Sequence, residues 1–325
     1  ITRRAGRPIR ITRVADRDVE RARALTAGAA EVTDDAFAVV RAPDIDIVVE
    51  LIGGYTLARE LVLAAIEAGK HVVTANKALL AVHGNEIFAR AQERGVMVAF
   101  EAAVAGGIPI IKALREGLTA NRIEWVAGII NGTTNYILTQ MRERGVTFAQ
   151  ALTEAQQLGY AEADPTFDVE GIDAAHKATL MASIAFGVPI QFERAYVEGI
   201  TRIEPRDVAY AEELGYRLKL LGIAKRREGG FELRVHPTLV PADHLLANVN
   251  GAMNAVLVKG DAVGQTMFYG KGAGAEPTAS AVIADLVDVT RLHTADPEHR
   301  VPHLAFQPDQ VREVAALPIE ECRTA

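Results

Sequence analysis

The sequence has a single cysteine, no long apolar run and no excess of basic residues. With only Cys322 among 325 residues, no disulfide can form within the chain, and a reducing compartment, the cytoplasm, is expected. The apolar stretches 47–52 and 184–190 are broken by charge, Gly or Pro, well short of the roughly 20 residues that a spanning helix needs, so no membrane segment is predicted. The net charge of -7 argues against a nucleic-acid partner, whose phosphates need clustered cations.

What the sequence does contain is enough apolar material for two domains, because 49% of its residues are hydrophobic. Residues 1–130 alternate short β-rich runs with amphipathic helical runs, which is typical of βαβ units and a parallel sheet covered by helices. The predicted fold class is therefore α/β, with a doubly wound, Rossmann-like sheet. Strands are expected at 9–15, 45–51, 71–74, 97–101 and 122–130, and helices at 18–25, 57–68, 79–94 and 108–118.

After residue 130 the pattern changes to that of an α+β domain, predicted for residues 131–300 and assigned to substrate binding and dimerisation. A last helix at 279–292 is expected to pack back on the first domain, and residues 301–325 form a polar tail. The predicted helices are 134–144, 148–158 and 169–186, and the predicted strands are 218–225, 231–239, 255–258 and 264–269.

The most informative stretch is 158–177, in which acidic side chains crowd the approach to an apolar helix. Asp173 and Lys177 are four residues apart and therefore share one helix face. A surface ion pair is the simplest interpretation of such spacing. Here the residues after Lys177 carry no charge through Phe186, which places the lysine where the helix becomes buried. A lysine held by a carboxylate in a partly dry cleft can serve as a general acid or base.

This stretch resembles the substrate-binding signature of homoserine dehydrogenases, in which Ala-Asp-Pro, an Asp-Val-x-Gly-x-Asp run and a following Lys occur at this spacing. The resemblance implies that Lys177 is the proton donor to an aldehyde oxygen. It also implies that Glu162 and Asp173 hold homoserine and that Asp168 supports the same pocket. Gly159 and Thr133 are assigned to this pocket too, although Thr133 could simply cap a helix, and His176 is interpreted as structural.

Two further motifs follow predicted parallel strands, where doubly wound sheets bind ligands. Gly53 and Gly54 leave room for the backbone to approach a dinucleotide, and the resemblance places Lys77, in Thr-Ala-Asn-Lys-Ala, beside the nicotinamide as a second catalytic cation. Without that context, Lys77 would be interpreted as an exposed lysine in a turn. The Gly270–Gly274 loop, with Gly272 and Gly274, is expected to close over the cofactor.

The segment 100–109 ends a strand and leads through glycines to Pro109, which suits the first turn of a helix. One carboxylate followed by a twisted loop offers oxygen ligands for a weakly held alkali cation rather than for zinc. The resemblance implies a sodium-like ion held by Glu101, Val104, Gly106 and Ile108.

The cofactor choice depends on Asp16-Arg17-Asp18, which follows the strand expected to meet the adenosine ribose. An acid there favours NAD, and an arginine accommodates the 2′-phosphate of NADP. Because Arg17 can reach a phosphate, NADP is predicted, with NAD tolerated. A homodimer is expected as the assembly, and a small molecule as the partner.

The ends of the sequence depart from the family pattern. Homoserine dehydrogenases begin with a strand and a G-x-G-x-x-G loop that supplies N–H groups to pyrophosphate. The first residues here resemble the end of the helix that follows that loop, so the natural protein is expected to begin some tens of residues earlier. A polypeptide beginning at Ile1 is expected to be unstable and to bind NAD(P) poorly. Many bacterial members also continue into a regulatory ACT domain beyond the position of Ala325.

Two alternatives remain open from the sequence, and a third is excluded. Aspartate-semialdehyde dehydrogenases need a cysteine nucleophile in mid-chain, and Cys322 lies too close to the end. Another Rossmann-type reductase, acting on a sugar or a dihydrodipicolinate-like substrate, would share the architecture but not the 162–177 signature. A ligand-binding remnant without dinucleotide binding is the non-enzyme alternative.

Overall fold

The computed structural model describes residues 1–293, 295 and 300–322. The chain divides into two compact units, and each is described by itself. Unit 1 comprises Ile1–Glu101 and Val282–His303, and unit 2 comprises Ala102–Ala281 and Leu304–Ala325. Within the described residues, no helix combines the length and the apolar character that crossing a membrane requires.

Unit 1 is built on parallel strands, which confirms the predicted α/β class. Strands β1 and β2 pair in parallel, and a second parallel sheet has the order β3-β4-β5. The strands are β1 (Arg13–Ala15), β2 (Glu31–Thr33), β3 (Ile47–Glu50), β4 (His71–Thr74) and β5 (Val98–Ala99). The helices are α1 (Thr2–Ala5), α2 (Val19–Thr26), α3 (Ala36–Arg41), α4 (Leu57–Glu67) and α5 (Lys77–Arg94).

Side-chain caps account for several helix starts in this unit. Asp18 accepts a hydrogen bond from the Arg21 N–H and starts α2, and Asp35 starts α3 in the same way. Strand β2 and helix α3 were not predicted, because each is short and the region 27–36 has no clear hydrophobic period. The predicted strand at 9–15 shortens to three residues.

Unit 2 contains a six-stranded sheet with the order β11-β10-β6-β8-β9-β7. Only the β7–β9 pair is parallel in that sheet; the other pairs are antiparallel. The strands are β6 (Ile123–Ile129), β7 (Tyr196–Val197), β8 (Tyr216–Arg227), β9 (Gly230–Pro241), β10 (Met253–Gly260) and β11 (Gly264–Lys271). The helices are α6 (Ile110–Lys112), α7 (Gly132–Arg144), α8 (Phe148–Gln157), α9 (Thr166–Val169), α10 (Ile172–Phe186), α11 (Pro205–Glu213) and α13 (Ile319–Cys322).

The strand predicted at 122–130 belongs to this second sheet, so the observed division falls near residue 101 rather than 130. Strand β6 lies between β10 and β8 and pairs antiparallel with both. The physical reason is that β6 finds its hydrogen-bond partners in strands more than 80 residues away, which its own apolar pattern does not reveal. Helix α12 (Ala275–Leu292) crosses the division, with its residues from Val282 in unit 1.

Other differences are local. The helix predicted at 108–118 is α6 followed by a π-helical turn at Ala113–Gly117. The helix predicted at 169–186 is two helices, because Gly171, with φ of 83°, separates α9 from α10. The tail after residue 303 is part of unit 2: Gln191 accepts from the Ala316 N–H, and its amide donates to the Val314 carbonyl.

Candidate active site

The predicted ion pair between Lys177 and Asp173 is present and buried. Lys177 Nζ lies 2.7 Å from Asp173 Oδ2 and 2.8 Å from the carbonyl oxygen of Ile130. The lysine is 8% exposed and the aspartate 4%. Removing two charges from water is costly, and only close geometry and additional hydrogen bonds can offset that cost. This pair is therefore a buried, hydrogen-bonded ion pair and not the surface pair that its spacing alone would suggest.

Asn131 joins this pair to a second carboxylate. Its Nδ2 donates to Asp173 Oδ2 at 2.9 Å and to Asp168 Oδ1 at 2.7 Å. Its Oδ1 accepts from the Thr134 N–H and caps α7. The cap predicted as an alternative role for Thr133 is at Asn131 instead, a residue that the sequence analysis did not single out. The Asn before a Gly-Thr-Thr helix start was the available signal.

Thr133 does reach the same cluster. Its hydroxyl donates to the carbonyl of Tyr160 at 2.6 Å and lies 3.4 Å from Asp168 Oδ2. Gly159, Tyr160 and Glu162 around this carbonyl are exposed, and Gly159 has φ of 75° after the end of α8. Thr133 therefore links the start of α7 to the acidic stretch.

Glu162 lies on the exposed part of that stretch. Its backbone carbonyl accepts from the Gln156 side chain, but its carboxylate makes no hydrogen bond or ion pair with the described part of the chain. The structure thus gathers Asp168, Asp173 and Lys177 into one network and leaves the Glu162 carboxylate open to solvent.

The start of α10 is fixed by close packing. Gly199 approaches the chain so closely that a Cβ there would lie 2.2 Å from the Val169 carbonyl oxygen. Every residue of α10 from Asp173 to Phe186 is buried. His176 packs edge-on to Phe192, with ring centroids 4.3 Å apart, and also meets Phe167. These contacts agree with its predicted structural role.

In unit 1, the strand ends of β3 and β4 carry a network around Glu50. Its carboxylate accepts from the Ile52 and Gly53 N–H groups and from the Thr74 hydroxyl. Asn76 donates to the Gly54 carbonyl at 2.6 Å and caps α5. Gly53 and Gly54 have φ of 75° and 68°, so a side chain at either would be strained. Lys77 is the first residue of α5 and half-buried.

The Asp16-Arg17-Asp18 turn follows β1 as expected. Asp16 accepts from the Asp18 N–H at 2.8 Å, and Asp18 caps α2. Both carboxylates therefore shape the turn, while Arg17 is exposed.

The two glycine loops of unit 2 are packed against each other. A Cβ at Gly106 would lie 2.5 Å from the Gly272 carbonyl oxygen, and one at Gly272 would lie 1.7 Å from the Asn254 amide nitrogen. The Gly107 N–H donates to the Lys271 carbonyl. Gly274 has φ of 119°. These glycines permit close backbone approach, a requirement that the G-x-G-x-G spacing alone did not reveal.

The segment proposed to hold a cation begins with Glu101, which is 2% exposed and whose N–H donates to Asp285 within unit 1. In unit 2, Val104 and Ile108 are buried, and φ is positive at Ala105 and Gly106. Among the residues that the structure describes, no three His, Cys, Asp or Glu side chains cluster as a metal site.

Taken together, a parallel-sheet domain with glycine turns at its strand ends and a second unit with a buried lysine–carboxylate cluster define a nicotinamide-dinucleotide-dependent oxidoreductase. Family profiles described as "Homoserine dehydrogenase, NAD binding domain" and "Homoserine dehydrogenase" match residues 1–101 and 109–287. The chain belongs to the homoserine dehydrogenase family.

Individual relatives agree. The chain is 68% identical to the homoserine dehydrogenase of Pseudomonas aeruginosa over 325 residues, 100% of this chain and 74% of the relative. A crystal structure of the enzyme from Thiobacillus denitrificans, 71% identical, matches with a TM-score of 0.95 over 98% of this chain and 74% of that one. A hyperthermophilic archaeal enzyme in complex with NADPH matches with a TM-score of 0.72 at 28% identity, over 86% of this chain and 83% of that one.

The activity follows from the family: interconversion of L-homoserine and L-aspartate 4-semialdehyde with a nicotinamide dinucleotide. The family membership decides against the other Rossmann-type reductases and against a ligand-binding remnant.

Replacing Asn131 tests whether this residue organises the site. Asn131→Ala removes the cap of α7, worth about 1 kcal/mol, and takes one amide donor away from the Asp168 and Asp173 carboxylates, worth about 1–3 kcal/mol more. We expect the free energy of unfolding, measured in urea, to fall by about 2–4 kcal/mol. The exposed cap variant Thr147→Ala, in the same unit, should cost only about 1 kcal/mol. Equal losses in the two variants would contradict the role of Asn131.

Proposed function

We propose that Lys177 is the proton donor to the aldehyde oxygen of aspartate semialdehyde, and the acceptor in the reverse direction. The observation that carries this is the hydrogen bonding of its ammonium group. Of its three N–H bonds, two are directed to Asp173 and the Ile130 carbonyl, and the described residues offer no acceptor for the third. That N–H is available to a substrate oxygen.

The chemistry at this atom is reduction of a carbonyl. When bound, the nicotinamide supplies a hydride to the aldehyde carbon or removes one from the alcohol carbon. The Lys177 ammonium polarises the carbonyl and donates its proton to the oxygen as negative charge develops there. Asp173 holds the ammonium in place through the ion pair.

The remaining residues of the cluster bind substrate in this proposal. Glu162 receives the substrate amino group, since its carboxylate is exposed and uncommitted. Asp173 and Asp168 accept further substrate donors, supported by Asn131 and Thr133. Gly159 lets the chain turn so that the Tyr160 carbonyl meets Thr133.

On the cofactor side, we propose that Gly53 and Gly54 approach the dinucleotide, that Lys77 lies beside the nicotinamide, and that the loop with Gly272 and Gly274 closes over the cofactor. NADP is the preferred form, with NAD tolerated, because Arg17 is exposed while Asp16 and Asp18 are engaged in the turn. Carbonyls of Val104, Gly106 and Ile108, together with Glu101, hold a sodium-like cation. The enzyme acts in the cytoplasm.

We further propose a homodimer formed through the open face of the six-stranded sheet in unit 2. A shallow groove of about 260 Å³ on this face is lined mainly by apolar side chains, among them Trp125, Leu221 and Leu257. Leu239, which also lines the groove, is 52% exposed. Met267 is half-buried and packs against the apolar side chains that include Leu221 and Leu257. A second copy presenting the same face would cover these side chains.

The proton-donor role predicts a kinetic defect without loss of the fold. Lys177→Arg in the native enzyme keeps the charge beside Asp173, but a guanidinium does not release its proton near neutral pH. We expect kcat to fall about 10²-fold, with a much smaller change in the KM for homoserine. The surface variant Lys259→Arg, which pairs with Glu124, should behave as native. Near-native turnover of Lys177→Arg would remove Lys177 from this role.

Glu162→Gln tests substrate binding. Loss of a charged hydrogen bond of about 1.5–3 kcal/mol corresponds to a rise of roughly 10- to 100-fold in the KM for homoserine. The KM for the cofactor should not change. Glu170→Gln, an exposed neighbour that bonds Thr201, is the control and should leave both constants unchanged. If both constants rise together in Glu162→Gln, the residue does not bind homoserine specifically.

The dimer proposal is tested by placing charge on the sheet face. The double variant Leu239→Glu, Met267→Glu should elute as a monomer in size-exclusion chromatography with light scattering, because like charges would face each other across the interface. Leu214→Glu, a change at another exposed leucine just after α11, should remain dimeric. A native protein that is itself monomeric would end the proposal.

A further inference from the structure

Glu50, at the end of β3, is a buried carboxylate that the chemistry above does not use. It is 4% exposed. One of its oxygens, Oε1, accepts from the N–H groups of Ile52 at 2.9 Å and Gly53 at 3.2 Å. The other, Oε2, accepts from the Thr74 hydroxyl at 2.6 Å on the neighbouring strand β4. The carboxylate therefore bridges two strand ends and the loop that follows one of them.

The network continues from Thr74 to the start of α5. The Thr74 hydroxyl oxygen accepts from the Asn76 N–H at 3.0 Å. The Asn76 amide donates to the Gly54 carbonyl at 2.6 Å and lies 3.5 Å from Glu50 Oε1, and its oxygen accepts from the Leu79 N–H. Loop 51–54 and the first turn of α5, which begins with Lys77, are thus tied to the same carboxylate.

The hydrogen bonds around Glu50 require both oxygens of a carboxylate. Its partners among the described residues are backbone N–H groups, a hydroxyl and an amide, with no cation. Burying an unpaired carboxylate is costly unless several donors satisfy it. A neutral amide could not replace it without loss, because glutamine offers one acceptor oxygen where the network uses two. The arrangement is specific for a carboxylate.

We infer that Glu50 is a positioning residue that holds the Gly53–Gly54 turn and the Lys77 end of α5 in one fixed arrangement for the dinucleotide. The inference rests on the proposed roles of Gly53, Gly54 and Lys77. In the doubly wound fold the two segments follow adjacent parallel strands, so a single buried group between the strand ends can orient both.

The test compares Glu50→Gln with the exposed control Glu60→Gln in the native enzyme. We expect Glu50→Gln to raise the KM for NADPH about 10-fold and to lower kcat, while the KM for homoserine changes less. Amide hydrogen exchange at Ile52 and Gly53 should accelerate at least about 10-fold, with exchange at Val72 and Val73 of β4 unchanged. Glu60→Gln should match the native protein in every measurement.

Variants of Thr74 separate positioning from general stability. Thr74→Ser keeps the hydroxyl and should retain a native KM for NADPH, whereas Thr74→Val should reproduce the Glu50→Gln defect. A folded Glu50→Gln enzyme with native KM and kcat would overturn the inference, and so would faster exchange throughout β4 with unchanged kinetics. The proposed roles of Lys77 and Gly54 are tested separately by Lys77→Ala and Gly54→Val. If both variants bind NADPH and turn over normally, those roles are wrong, whatever hydrogen exchange in Glu50→Gln shows for the loop.

Discussion

The buried pair of Lys177 and Asp173 constrains the elements that meet around it in unit 2. An ammonium and a carboxylate removed from water need further hydrogen bonds to offset their desolvation, and the structure provides them from Ile130 and Asn131 at the junction of β6 and α7. These donors and acceptors come from a strand end and a helix start some 40 residues away in sequence. The end of β6 and the start of α7 are therefore both tied to the ion pair on α10.

The same requirement explains why α10 begins where it does. Gly171 turns the chain with a positive φ, and Gly199 allows the Val169 carbonyl to approach. With the helix start fixed, Asp173 lies in the first turn, where the helix dipole favours a carboxylate, and Lys177 follows one turn later in the buried part. The position of the Lys177 ammonium is therefore set by the buried helix that carries it and by its two hydrogen bonds.

Unit 1 also contains a buried carboxylate that is satisfied by hydrogen bonds, but there its partners are neutral. There a lone carboxylate, Glu50, is satisfied by neutral donors at the ends of β3 and β4. Because parallel strands bring their carboxyl ends to one edge, two loops that are distant in sequence become neighbours and can share one acceptor. In both units a buried acidic side chain therefore orders backbone at the start of a helix, α10 in unit 2 and α5 in unit 1.

The sequence by itself determined the parallel α/β class, the helix that carries Asp173 and Lys177, and their pairing, because these depend on periodicity and on i, i+4 spacing within one element. The resemblance to the family added predictions of which residues bind substrate and cofactor. Only the tertiary structure decided that β6 belongs to the six-stranded sheet, that Asn131 bridges Asp168 and Asp173, and that Glu50 joins two loops. Each of these depends on hydrogen-bond partners from separate elements. Such contacts between distant segments produce no hydrophobic periodicity in the sequence, so the sequence pattern cannot predict them.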